Sequence, residues 1–188
     1  METRGLRISK MKHFGVQRIA VLAALTALCH IGRLVFQFIP NVQPMTTILL
    51  LITLTMGTVD GLVVTLLSLV LSNMFLGMGP WTLSQFVAFS GVILLAGCLR
   101  PLYHSVRLHP VVKKVIFVSF AFLSGFLYGF IISLVETRIY GISNFWVYYL
   151  QGISFDFLHA AGNAGFFLLL EPILVPLINQ RNARLSLK

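Results

Sequence analysis

The chain has 188 residues, of which 57% are hydrophobic and 10% charged, and its formal net charge is +9. A soluble domain carries roughly 25% charged residues, so this composition, with a mean hydropathy of +0.91, excludes a water-soluble globular protein. It indicates an integral membrane protein with a single domain over residues 1–188.

A helix needs about 20 mostly apolar residues to cross a hydrocarbon core of about 30 Å. Six segments meet or approach this need: 16–38, 45–58, 61–76, 82–99, 115–135 and 149–178. The runs lack the alternation of a membrane barrel. The expected fold is therefore all-α, with six transmembrane helices. Span two is short, and span six is long enough to tilt, or to bend near Gly162 and Gly165.

The first span follows a basic tail with Arg4, Arg7, Lys10, Lys12 and Arg18. It is full length, and no small-residue cleavage pattern lies near it, so a cleavable signal peptide is not expected. Its inner half carries Ala20, Ala24 and Ala27 at i, i+4 and i+7, a spacing that lets another helix approach closely. Ordinary packing within the chain and docking of another membrane subunit both fit that face. Further along stand His30, Arg33 and Gln37. Arg33 either snorkels outward or meets Asp156 in the interior, with a structural ion pair slightly favoured over ligand contact.

After span one comes "IPNVQP", with Asn41 and Gln43. Span three carries Thr65, Ser68 and Ser72 at i, i+3 and i+7, a pattern typical of a packing seam. Then "SNMFLGMGPWTLSQF" concentrates Asn73, Gly77, Gly79, Pro80, Trp81 and Gln85 in one break. Trp81 alone would be an ordinary interfacial anchor. Together these residues suggest a hairpin that also forms a ligand rim. The connection after span five holds Tyr140, Asn144 and Trp146, a candidate lid. In span six, Gly152, Asp156, His159 and Asn163 follow i, i+4, i+7 and i+11, so they share one helical face. Polar side chains inside a bilayer are costly unless partnered or wet. They line either an outward cavity or an interhelical cluster in which Asp156 accepts from His159 or Arg33.

Charge sets the orientation. Twelve of the fourteen Lys and Arg lie before span one, between spans four and five (Arg100, Arg107, Lys113, Lys114), or after span six (Arg181, Arg184, Lys188). Six spans place all three segments on one side, and the positive-inside rule makes that side, with both termini, cytoplasmic. The basic excess is thus a topology signal with some attraction to anionic lipid, and a nucleic-acid partner is not expected. The outer connections hold the Pro, Gly, Asn and aromatic residues, so recognition is expected outside.

No P-loop, H-E-x-x-H, paired C-x-x-C or G-x-S-x-G motif occurs, so neither ATP hydrolysis nor zinc chemistry is signalled. Of five acidic residues, only Asp156 lies deep within a span, thin support for an ion-coupled carrier. Cys29 and Cys98 both lie in spans and read as buried small hydrophobes. The chain is expected to have no enzymatic activity, metal or cofactor of its own.

The six spans, the basic N-terminus and the Ala20–Ala24 face combine with "IPNVQPMTTILLLITLTMG", "SNMFLGMGPWTLSQ" and "SFDFLHAAGN". This pattern resembles the substrate-binding S component of energy-coupling-factor (ECF) vitamin transporters, most of all the cobalamin type, over nearly the whole chain. The resemblance implies a prokaryotic inner-membrane protein that captures a vitamin from outside and topples to release it inward. A transmembrane coupling subunit and two ATPase subunits would drive the cycle with ATP. It carries docking to Ala20 and Ala24, and ligand contact to Asn41, Gln43, Asn73, Trp81, Gln85, Asp156, His159 and Asn163. An amide-rich, aromatic, nearly neutral lining suits cobalamin. Riboflavin or a queuosine precursor remains the alternative within the class. Outside it stand an intramembrane enzyme using Asp156 and His159 as a proton-transfer pair, and a scaffold or lipid-interacting protein.

Overall fold

The computed structural model describes residues 3–186, with side chains over 15–180. Six helices follow in order: α1 Thr3–Val35, α2 Met45–Thr55, α3 Thr58–Leu76, α4 Trp81–Tyr103, α5 Pro110–Ile139 and α6 Phe145–Ser186. No strand occurs among the described residues. The tail side chains Arg4, Arg7, Lys10, Lys12, Arg181, Arg184 and Lys188 lie outside those described.

Five of the six helices are long and apolar enough to cross a membrane; α2 is not. Its 11 residues rise only ~16 Å, about half a hydrocarbon core. The helix expected over 45–58 stops early because Gly57, with φ +132°, turns the chain directly into α3. Conversely, the expected spans 61–76, 82–99, 115–135 and 149–178 all extend further, and α6 runs unbroken through Gly162, Gly165, Pro172 and Pro176. The first span stops at Val35, short of residue 38.

Every residue of α2 is buried. Around it α1 packs on α3, α3 on α4, α4 on α5 and α5 on α6, and each of these five touches α2. The ring closes between α1 and α6 through segment 36–44. There Phe36 meets Phe166 edge-on at 5.0 Å, Val42 lies against Gly162, and Asn41 Nδ2 donates to the Phe155 carbonyl at 3.2 Å. The connections 36–44, 77–80 and 140–144 share one end, here termed upper. Arg100 and the 104–109 connection mark the lower end.

The polarity is inverted relative to a soluble protein. Leu66, Leu67, Leu94, Leu95, Leu123 and Leu169 point outward, while Thr65, Ser68, Ser84, Ser124, Asp156, His159 and Asn163 are buried. An apolar exterior and a polar interior are what a hydrocarbon solvent selects.

Two groups of contacts pin the lower end. Arg18 Nε and Nη2 both donate to Asp60 Oδ1, at 3.0 and 2.6 Å, joining α1 to the first turn of α3, where a carboxylate also complements the helix dipole. Arg100 Nε and Nη2 donate to the carbonyls of Leu54 and Thr55, both at 3.3 Å. His104 Nε2 donates to Leu54 O at 2.8 Å. The last carbonyls of a helix lack intrahelical partners, and α2 ends inside protein, away from water. Arg18 and Arg100, counted in the sequence as topology charges, are thus also structural ties.

Candidate functional site

The upper half contains two adjoining polar clusters. The first is centred on Arg33, near the end of α1 and only 8% exposed. Its Nε donates to Gln43 Oε1 at 3.1 Å, and its Nη1 to Ser72 Oγ at 2.6 Å and Asn73 Oδ1 at 3.3 Å. The Asn73 amide nitrogen donates to Thr82 Oγ1 at 2.9 Å and Gln85 Oε1 at 2.8 Å. Segment 36–44, α1, α3 and α4 are thereby tied by one network. Ser72 also bonds back to Ser68 O at 2.6 Å, which aims its oxygen along α3 toward the arginine.

The second cluster joins α2, α5 and α6. Thr46 Oγ1 and His159 Nε2 share a hydrogen bond of 2.7 Å. Thr47 Oγ1 donates to Asn163 O at 2.9 Å, and Asn163 Nδ2 to Ser124 Oγ at 3.3 Å. The Tyr128 ring lies edge-on to His159, with centroids 5.0 Å apart, and against Phe89 at 4.6 Å. Asp156 packs its carboxylate on Gly129, where a Cβ would overlap it. Gly125 and Gly129, four residues apart, let α5 lie directly on the backbone of α6 at Ala160 and on Asp156.

The shared face of Gly152, Asp156, His159 and Asn163 does turn inward, with the three polar members buried. Their proposed partners differ from expectation. The Arg33–Asp156 ion pair does not form: the one ion pair among the described residues is Arg18–Asp60. Arg33 is already engaged by neutral oxygens from segment 36–44 and α3. Asp156 does not accept from His159 either, because the imidazole is turned toward Thr46. Among the described residues, no group of three or more His, Cys, Asp or Glu comes together.

Asn41, Gln43, Asn73 and Gln85 belong to the upper layer, Asn41 in a left-handed conformation with φ 59°. Trp81 is 41% exposed and covers Gly79, where a Cβ would strike its ring. It shapes the hairpin from outside and takes part in none of the hydrogen bonds of the arginine network. The expected lid residues stand apart from both clusters. Asn144 caps α6 by accepting from Val147 N at 3.1 Å, while Tyr140 and Trp146 are largely exposed. Their loop borders a separate cleft of about 410 Å³, lined by Thr137, Arg138, Ser143 and Phe145 among others. Tyr148 Oη donates to Glu136 Oε2 at 2.7 Å and ties α5 to α6 beside it. Ala20, Ala24 and Ala27 form an exposed stripe on α1.

Sequence reading missed Ser72 as a ligand of Arg33, and missed Thr46, Ser124 and Tyr128 altogether. The Gly-x-x-x-Gly spacing at 125 and 129 was the available signal for the last two, since it marks where two helices come close. Thr46 had no local signal.

The fold and these clusters define a multi-pass helical membrane protein with a polar interior at one end of the bundle. No protein-family model, characterised protein or solved structure matches the chain.

Proposed function

We propose that the protein is a membrane-embedded capture subunit: an S component of an ECF-type importer, taking cobalamin or a related corrinoid at its upper, extracellular end. The observation that carries this reading is the convergence of Arg33, Gln43, Asn73, Gln85, Asp156, His159 and Asn163 from four distant stretches into the upper half of one bundle. Amides, hydroxyls and an imidazole offer directional bonds to a large, amide-bearing molecule. The exposed Ala20–Ala24–Ala27 stripe supports docking of a transmembrane coupling subunit. ATP would be hydrolysed by two partner ATPases, and the setting is a prokaryotic plasma membrane.

The test is isothermal titration of the detergent-solubilised chain with cyanocobalamin. One-to-one nanomolar binding supports the reading. If the folded protein binds no cobalamin at micromolar concentration, cobalamin is discarded and riboflavin and a queuosine precursor are titrated next. The enzymatic alternative has less support, since Asp156 and His159 do not form the hydrogen-bonded pair it requires.

A further inference from the structure

We infer that the cleft between the end of α5 and the start of α6 binds the phosphate of a membrane phospholipid, with Arg138 as its anchor. Such a site does not depend on vitamin capture. The cleft has a volume of about 410 Å³, within the ~300–1,000 Å³ of small-molecule sites. Arg138 is the one charged residue in its lining, beside the hydroxyls of Thr137 and Ser143, and Leu134 and Phe145 supply apolar walls. Both helix ends that frame it are closed. Gly141, with φ 66°, lets Ile142 N donate to Thr137 O at 2.9 Å, which ends α5 in a Schellman motif. Asn144 then caps α6 on Val147 N. The cleft is therefore built into the connection.

Arg138 stands where cations are scarce. The sequence leaves Arg33 and Arg138 as the two cations outside the basic segments, and Arg33 is held in its own network. Arg138 has no carboxylate partner: the one ion pair among the described residues is Arg18–Asp60. Glu136 instead accepts from Tyr148 at 2.7 Å, and residues two apart on a helix do not face each other.

Depth selects the ligand. The 30 residues of α5 rise ~45 Å, the thickness of a bilayer with its headgroup layers, about 40–45 Å. Arg138, one residue from the end of α5, stands at the level of the upper leaflet's headgroups. Leu134 and Phe130, one and two turns deeper, are exposed. Tyr140 and Trp146, also exposed, flank the cleft as an interfacial belt. Phe145 stacks on Tyr149 at 5.8 Å and meets Phe130 edge-on at 5.3 Å. The guanidinium fork fits a pair of phosphate oxygens, and the apolar strip below it suits acyl chains. A free anion would leave that strip unused. A cation in the last turn also complements the α5 dipole, but that role changes stability and not lipid affinity.

The test is isothermal titration of the full-length chain, in a phosphate-free maltoside detergent, with dihexanoylphosphatidylglycerol. Wild type is compared with Arg138→Gln, Arg138→Lys and Lys114→Gln, the last at an exposed cation near the other end of α5. Melting temperature without lipid is read for each. Saturable one-to-one binding is expected in wild type and in Lys114→Gln. Arg138→Gln is expected to bind about 10- to 100-fold more weakly, the worth of a hydrogen bond to a charged group. Arg138→Lys, which keeps the charge and loses the fork, is expected to fall between them, and it carries the comparison if Arg138→Gln does not accumulate.

Unchanged affinity in both Arg138 variants overturns the inference, even where the melting temperature falls, since that is dipole complementation alone. So does the absence of saturable binding in wild type. Equal binding of dihexanoylglycerol, which has no phosphate, overturns it by showing that the cleft takes acyl chains only. Inorganic phosphate binding as tightly as the lipid makes the occupant a soluble anion. Displacement of the lipid by cyanocobalamin assigns the cleft to the capture site. Either of these last results removes phospholipid as the ligand.

Discussion

Asn73 shows how one side chain carries an interhelical junction. Its amide uses both N–H groups toward α4 and its oxygen toward Arg33 on α1. Asn73→Ala strands Gln85 Oε1 and an arginine donor within the bundle. It is expected to destabilise the protein by about 1–3 kcal/mol, measured as a lower unfolding midpoint in detergent. Arg100 has the same status at the other end. Arg100→Ala uncovers the Thr55 carbonyl and leaves the Leu54 carbonyl to His104 alone, and should cost a similar amount, about 1–3 kcal/mol. His104→Ala, losing one bond to a carbonyl still held by Arg100, should cost about 1 kcal/mol. Equal effects from Arg100→Ala and His104→Ala would show that the cap is not shared in this way.

Among the elements, the α5–α6 pair and α2 decide the shape of the interior. A Cβ at Gly125 meets the backbone of Ala160, whereas one at Gly165 meets nothing within 4 Å. Gly125→Ala is therefore expected to push α5 from α6 at a cost of about 1–3 kcal/mol. Gly165→Ala, at an open helical position, should be neutral or stabilise by up to about 1 kcal/mol. Thermal unfolding of the two variants side by side is the check, and the opposite order would mean that α5 and α6 do not pack on this face. α2 is short because nothing asks it to span: wrapped by five helices, it meets no lipid. Its threonines satisfy themselves on its own carbonyls, as at Thr53 and Thr55, or reach α6, as at Thr46 and Thr47.

Across the whole molecule, the proposed function gives the upper and lower ends different tasks. Under the proposed function, Ala20→Trp and Ala24→Trp, on a face exposed in the isolated chain, should leave cobalamin binding intact and abolish uptake in cells. Loss of both together would point to misfolding. Orientation is tested separately. A cysteine replacing Val106, which is 97% exposed, should react with a membrane-impermeant thiol reagent only from the cytoplasmic side. One replacing Tyr140 should react only from outside. The reverse labelling would invert the assignment drawn from the basic segments.

Composition and hydrophobic run length were enough to read a helical membrane protein, because lipid demands apolar length and closed backbone hydrogen bonds wherever a segment crosses. Helical periodicity likewise showed that Asp156, His159 and Asn163 share a face, since 3.6 residues per turn is a property of the local backbone. Which group each of them meets was not legible. A plausible pairing of opposite charges, Arg33 with Asp156, gave way to Gln43, Ser72 and Asn73 because segment 36–44 and α3 bring neutral oxygens to the guanidinium first. The same holds for Arg18 and Arg100, whose charge signalled topology but whose partners are a carboxylate and two carbonyls forty or more residues away in the chain. Sequence spacing fixes direction along a helix. Only the tertiary packing of five helices around a sixth fixes distance between them, and hydrogen bonds and charge pairs are decided by distance.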